Sequence, residues 1–308
     1  MEKKILITGG TGFIGTILCR ELINKGYGLT VLSRQPADTV RALCGRVEAT
    51  SDLKLLEGHQ GYHAVINLAG EGIADKRWTA SRKQALRDSR IGVTRTLVDV
   101  CRSWQSPPEV LVSGSAVGYY GNQGNHLVTE ETHPHPEFTH ELCRDWEQAA
   151  LSMEELNTRV CLCRTGIVTG RGGGFLQRMI LPFRLGLGGR LGNGQQYMPW
   201  VHRDDVVSGL IWMLENPHAK GAYNMVSPNP ATNREFTKTL GKVVHRPTVF
   251  PAPAPVLKLA LGEMAGLLLT GQKAVPAKLQ HEGFRFKYAE LEPALADSVA
   301  GEFFQKNR

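Results

Sequence analysis

The chain has 308 residues, 42% of them hydrophobic and 21% charged, with a net charge of +7. That composition excludes a disordered chain, and the length allows one large or two modest domains with a real core. Apart from a denser basic patch over 76–90 the lysines and arginines are scattered, with no nucleic-acid-binding pattern, so the charge is read as serving phosphorylated ligands and solubility.

The first element is an apolar strand running straight into a glycine-rich turn, ILITGGTGFIG at 5–15. Gly10, Gly12 and Gly15 fit G-x-G-x-x-G, and Gly9, Gly12 and Gly15 fit a wider spacing. Glycine is needed there so that the chain turns tightly, its backbone approaches a pyrophosphate and the helix packs close on the strand. The helix that follows, through Leu18, Leu22 and Ile23, offers free N–H groups at its N-terminus. A plain βα turn rich in glycine is the bland alternative. Leu29–Ser33 reads as a second strand with Arg34 directly after it. An acid at this place would bind ribose hydroxyls, whereas an arginine accommodates a 2′-phosphate, so Ser33-Arg34 favours NADP(H) over NAD(H). The alternative is a solvated arginine at a strand end.

A short strand is placed near Val47, and Ala64–Leu68 is a buried strand ending in NLAG, whose small residues let backbone lie against a flat cofactor. A long helix is expected from about Thr79 to Arg102, with Leu86, Val93, Leu97 and Val100 inward and Ser89 and Arg90 on that same face. An inward arginine must meet an anion or carbonyls, because an unpaired buried charge is very costly. A cofactor phosphate is the natural anion; snorkelling or an ion pair is the alternative.

Val110–Ser113 is the next core strand and leads into GSAVGYYG at 114–121. A helix over about 138–156 and a strand at Arg159–Arg164 follow. Five strands alternating with helices predict an α/β fold, a Rossmann-type doubly wound parallel sheet. After Arg164 the texture changes: loops rich in glycine, a helix over 175–187, another over 204–216 and a strand at 221–226. Thr232-x-x-Glu235 is a capping box opening a further helix, and the last sixty residues read as helical but broken by prolines. Residues 1–165 plus about 199–228 are assigned to the dinucleotide-binding domain. About 166–198 and 229–308 are assigned to a smaller, mostly helical substrate-side domain.

The six cysteines form no C-x-x-C pair, so neither a metal site nor a thioredoxin-like motif is expected, and free thiols imply a reducing compartment. No signal-peptide core precedes the first glycines, and the apolar stretch 254–269 is too interrupted to span a membrane. A cytoplasmic protein without nucleic-acid or membrane partners is expected; the sequence sets no oligomeric state.

TGGTGFIG at 8–15, NLAG at 67–70, SGSAVGYYG at 113–121, RTGIVTG at 164–170 and WVHRDD at 200–205 together resemble the extended short-chain dehydrogenase/reductases of the nucleotide-sugar epimerase group. GEGIADKRW at 70–78 and RGGGFLQRMILPFRLGLGG at 171–189 resemble a subfamily of uncertain activity, the YfcH-like epimerase family proteins, some of them labelled cell-division inhibitor-like. The resemblance implies pyrophosphate contacts at Gly9, Thr11, Gly12, Phe13, Ile14 and Gly15. It implies adenosine contacts at Ser33 and Arg34, further cofactor contacts at Leu68, Ala69 and Arg90, and a nicotinamide neighbour at Ile167.

The chain departs from that resemblance at the catalytic pair. The superfamily uses Tyr-x-x-x-Lys, and none of the seven tyrosines here has a lysine four residues on. Alignment on Trp146-Glu147 puts Thr139 and Cys143 at those places; a threonine is a poor proton shuttle and a cysteine cannot replace an ammonium. Ser115 and Tyr120 are therefore the expected catalytic hydroxyls, against the alternative that Ser115 bonds backbone and Tyr120 packs. Two functions follow. One is an NADP-dependent oxidoreductase or epimerase with a nonstandard proton donor and an anionic, sugar-like substrate. The other is an inactive NADP(H)-responsive regulator.

Overall fold

The computed structural model describes residues 3–300, so the end of the expected helical tail lies outside the described residues. The central sheet has seven parallel strands: β1 (Lys4–Thr8), β2 (Gly28–Leu32), β3 (Glu48–Thr50), β4 (Ala64–Asn67), β5 (Val110–Ala116), β6 (Arg159–Thr165) and β7 (Gly221–Met225). Their order is β7-β6-β5-β4-β1-β2-β3, a doubly wound α/β sheet whose direction of winding reverses between β1 and β4. The strands expected near Val47 and at 221–226 join it as β3 and β7.

Side-chain alternation places each strand residue on one of two faces. Ile5 and Ile7 pack with Leu18, Cys19 and Leu22 of α1 (Gly15–Asn24) and Val40 of α2 (Ala37–Cys44). Leu6 faces the other way, with Val65 and Leu111, onto Leu97 and Cys101. All six cysteines are free and buried, Cys161 and Cys163 on β6 among them.

The helix expected over 79–102 is three pieces: α3 (Ala80–Arg87), a π-turn over Asp88–Gly92 and α4 (Val93–Arg102). The wider turn shifts the inward face between the two helices, and such turns concentrate at functional sites. After β6 the segment read as loop holds a short strand, Ile167–Thr169, paired in parallel with Trp200–His202. α5 (Phe138–Leu151) packs on β5 and β6; α6 (Gly174–Arg184) follows the glycine run; α7 (Arg203–Glu215) returns to the sheet. α8 (Asn233–Val243) opens with the expected capping box, Thr232 and Glu235 each bonding the other's backbone N–H. A separate apolar cluster, with Leu176, Phe183, Trp200, Phe236 and Leu295, joins α6, α8 and the helix Leu291–Ala300. No described helix is long and apolar enough to cross a membrane.

Candidate functional site

A cleft of about 660 Å³ opens along the carboxyl ends of β1, β2 and β4. In doubly wound sheets ligands bind where the winding reverses, as it does here between β1 and β4. Gly9, Thr11 and Gly12 floor it, Ser33 and Arg34 form one rim, and Leu68 and Ala69 the other. Gly9 has φ +71°, and a Cβ there would stand 2.5 Å from Leu68 O. A Cβ on Gly15 would stand 2.7 Å from Gly10 Cα, so α1 starts pressed against the turn. No side chain caps α1 at Ile14 and no acid stands in its first turn. Its N-terminal N–H groups and partial positive charge therefore face no competing side-chain acceptor. Phe13 packs its ring against Gly173 and Gly174, with the Arg203 guanidinium over it at 4.8 Å. That ties the turn to the glycine run before α6.

Sequence reasoning missed the far end of this cleft, where Ser51, Asp52 and Leu53 close the wall beyond β3. Asp52 Oδ1 accepts from Lys54 N at 3.0 Å and opens a short 3₁₀ turn, so Ser-Asp directly after a strand was the available signal. It also missed the π-turn, which brings Asp88, Ser89 and Gly92 to the cleft.

Arg90 is half-buried and takes the carbonyl alternative. Its guanidinium donates to Glu71 O at 2.8 Å and Leu86 O at 3.3 Å, and lies 5.4 Å from the Trp146 ring centroid. Burial draws its pKa below the ordinary guanidinium value. Arg90 thus lies directly behind Gly70 and Glu71, which line the cleft, with its guanidinium on carbonyls.

Beyond β4 an inner cavity of about 300 Å³ lies outside the ends of β5 and β6, reached by Ala116, Gly166 and Ile167. Thr139 and Cys143, the two residues that the alignment on Trp146-Glu147 singles out, both line it. Thr139 Oγ1 donates to Glu137 Oε1 at 2.5 Å. Burial pushes the Cys143 thiol up to about 12, so it is neutral and supplies no charge. The charged side chains lining the cavity are Glu137 and Glu263, with no lysine or arginine among the described residues that line it. Lys83, 4.7 Å from the ring centroid of the lining residue Phe138, is held in an ion pair with Glu263.

Ser115 and Tyr120 stand elsewhere. Ser115 Oγ donates to Glu147 Oε1 at 2.6 Å. Glu147 receives two parallel bonds from Arg164, each 2.8 Å. Arg164 Nη1 donates to the Tyr120 hydroxyl at 2.9 Å, and that hydroxyl donates to Asn224 Oδ1 at 2.7 Å. The Tyr119 ring covers the Arg164 guanidinium at 3.5 Å. Every member of the chain Ser115–Glu147–Arg164–Tyr120–Asn224 is buried, and burial pushes the Tyr120 phenol up to about 12. Neither Ser115 nor Tyr120 lines either cavity. The two hydroxyls proposed as catalytic are both engaged within the protein, Ser115 on Glu147 of α5 and Tyr120 between Arg164 of β6 and Asn224 of β7. His202 has a structural place as well, its Nδ1 accepting from Asp204 N at 3.2 Å at the start of α7.

Comparison with known proteins fits this geometry. Residues 5–226 match the NAD dependent epimerase/dehydratase family, and residues 252–298 match a domain of unknown function. An epimerase family protein of Staphylococcus haemolyticus is 38% identical over 96% of this chain and 99% of its own length. The crystal structure of a human epimerase family protein with NADPH superposes with a TM-score of 0.87 at 34% identity, covering 96% of this chain and 99% of that one. The Thermotoga maritima UDP-glucose 4-epimerase shares the fold, with a TM-score of 0.79 at 19% identity over 96% of this chain and 97% of that one. The cleft at the glycine turn, the family match over 5–226 and the full-length likeness to epimerase family proteins lead to one assignment: the chain belongs to the NAD dependent epimerase/dehydratase family, as an atypical short-chain dehydrogenase/reductase.

Proposed function

We propose that this protein binds NADP(H) along the cleft and is an oxidoreductase or epimerase with a nonstandard proton relay, acting on a substrate held in the inner cavity. The cleft fits a dinucleotide because Cβ atoms at Gly9 and Gly15 would strike backbone, so only glycine there keeps the turn tight and α1 pressed against it. Gly9, Thr11 and Gly12 would hold the pyrophosphate, Ser33 and Arg34 the 2′-phosphate, and Gly166 and Ile167 would neighbour the nicotinamide. The 2′-phosphate reading rests on the absence of an acid after β2, and the NADPH in the human relative agrees with it. When bound, that cofactor supplies or accepts a hydride.

The observation that carries the enzyme reading is the Thr139–Glu137 pair facing the cavity. A threonine hydroxyl alone cannot titrate near neutral pH, but a carboxylate bonded to it can hold the proton that the hydroxyl passes on. Thr139 Oγ1 is then the group that meets a substrate oxygen, and Glu137 Oε1 holds the proton behind it. Residues 166–198 and 229–300 form the substrate side in this reading.

Calorimetric titration should give NADPH at least tenfold tighter than NADH, a gap of about 1.4 kcal/mol. Glu137→Gln should lower turnover by about 10²-fold with the NADPH Kd unchanged. The regulator reading draws on the engaged hydroxyls of Ser115 and Tyr120. It prevails if no carbonyl or nucleotide-sugar substrate is turned over while NADPH binding alters hydrogen exchange.

A further inference from the structure

The inner cavity has an apolar wall, and several of its polar side chains already have their donors bonded within the protein. Ile73, Trp78, Phe138, Phe175, Leu267 and Leu268 are among its apolar lining residues, and Tyr197 lines it too. The amide and threonine donors beside them bond the protein's own backbone. Gln196 Nε2 donates to Leu191 O and Leu268 O, and Gln272 Nε2 donates to Gly121 O. Asn233 Oδ1 accepts from Leu191 N, Thr270 Oγ1 donates to Gly266 O, and Thr165 Oγ1 donates to Cys163 O. A sugar carries a hydroxyl on most of its carbons, and each one buried without a partner costs on the order of 1–3 kcal/mol. A diphosphate needs free cations; the charged side chains that line this cavity are Glu137 and Glu263, and Lys83, 4.7 Å from the Phe138 ring centroid, is already paired with Glu263. The wider mouth outside contains Lys258, but it shares Glu263 with the cavity.

We infer that the inner cavity takes a compact, uncharged carbonyl or hydroxyl compound with a largely apolar body, not a nucleotide sugar, and that the segment 252–298 is the wall that selects it through Leu267 and Leu268. Thr139 and Glu137 supply the polar contact at one end, and the apolar side chains cover the body. This assignment rests on the reading of the cavity as the substrate site. It gives the matched domain of unknown function a role: that stretch contributes Glu263, Gly266, Leu267, Leu268, Thr270, Gly271 and Gln272 to the lining.

Saturation-transfer NMR on the full chain tests it, with acetophenone and UDP-glucose as probes, each run with and without NADP⁺. Acetophenone should bind and UDP-glucose should not displace it. Leu268→Glu and Leu267→Glu should each weaken acetophenone at least tenfold while the NADPH Kd stays the same. The inference is overturned if acetophenone fails to bind, if UDP-glucose competes with it, or if both variants leave its affinity unchanged. The competition on wild type decides even where a variant does not fold. A failure of NADPH to bind would instead remove the cofactor reading, leaving the cofactor-free NMR result to stand or fall by itself.

Discussion

At the dinucleotide end the cleft is walled by backbone, with glycines pressed on carbonyls 2.3 to 3.2 Å from where a Cβ would sit. At the cavity end it is walled by side chains from β5, β6, α5 and the segment after residue 252. Behind that end the ion pair Arg164–Glu147 is buried, each side chain 6% exposed. The difference teaches where each end is vulnerable. Adding an atom ruins the first; removing a charge or a hydroxyl ruins the second.

Arg164→Ala should have the largest effect. It strands the Glu147 carboxylate and leaves the Tyr120 hydroxyl one partner short, at a cost of about 3–5 kcal/mol. Urea unfolding would register this as a lower midpoint, and an unchanged midpoint would mean that the network contributes nothing. Gly15→Ala probes the other end. Its methyl group meets Gly10 and should move the turn, weakening NADPH about a hundredfold, or about 2.7 kcal/mol, in calorimetry. Undiminished affinity would separate the cofactor from the glycine turn.

Tyr120→Phe sharpens the contrast. It removes a buried hydroxyl that bonds Arg164 and Asn224, so stability should fall by about 1–3 kcal/mol while turnover stays within a few-fold. A hundredfold drop in kcat would return Tyr120 to the chemistry. Arg34→Ala should act most weakly, erasing about a tenfold preference for NADPH over NADH, about 1.4 kcal/mol, with stability untouched. A preference that survives would pass the 2′-phosphate contact to Ser33 or another rim residue.

Sequence reasoning reached the backbone end because backbone demands leave marks on residue type. A turn that approaches phosphate must be glycine, so Gly9, Gly12 and Gly15 were readable in place. That no tyrosine has a lysine four residues on was equally readable. The Thr139–Glu137 contact was not, because Glu137 stands two residues before Thr139 in a loop and only the bend into α5 brings the two side chains together. The buried partners of Ser115 and Tyr120 were out of reach for a related reason. A serine and a tyrosine near a strand end look alike whether they face a cavity or an arginine, and the partners that decide it, Glu147, Arg164 and Asn224, lie 32, 44 and 104 residues away. The wall at Leu267–Leu268 read as an apolar helical stretch, since nothing local says which cavity it will cover.

β7 has a consequence for how the chain is made. It pairs with β6 in register from Gly221↔Cys161 to Met225↔Thr165, across the intervening short strand, α6 and α7. During synthesis β6 is therefore an unprotected edge until residue 225 has left the ribosome, a wait of several seconds at about 5–20 residues per second. Over that interval Arg164 and Tyr120 also wait for Asn224. A nascent chain paused there presents a parallel edge with a half-built polar network behind it, and that is the stretch of translation at which holdase binding or misassembly is decided.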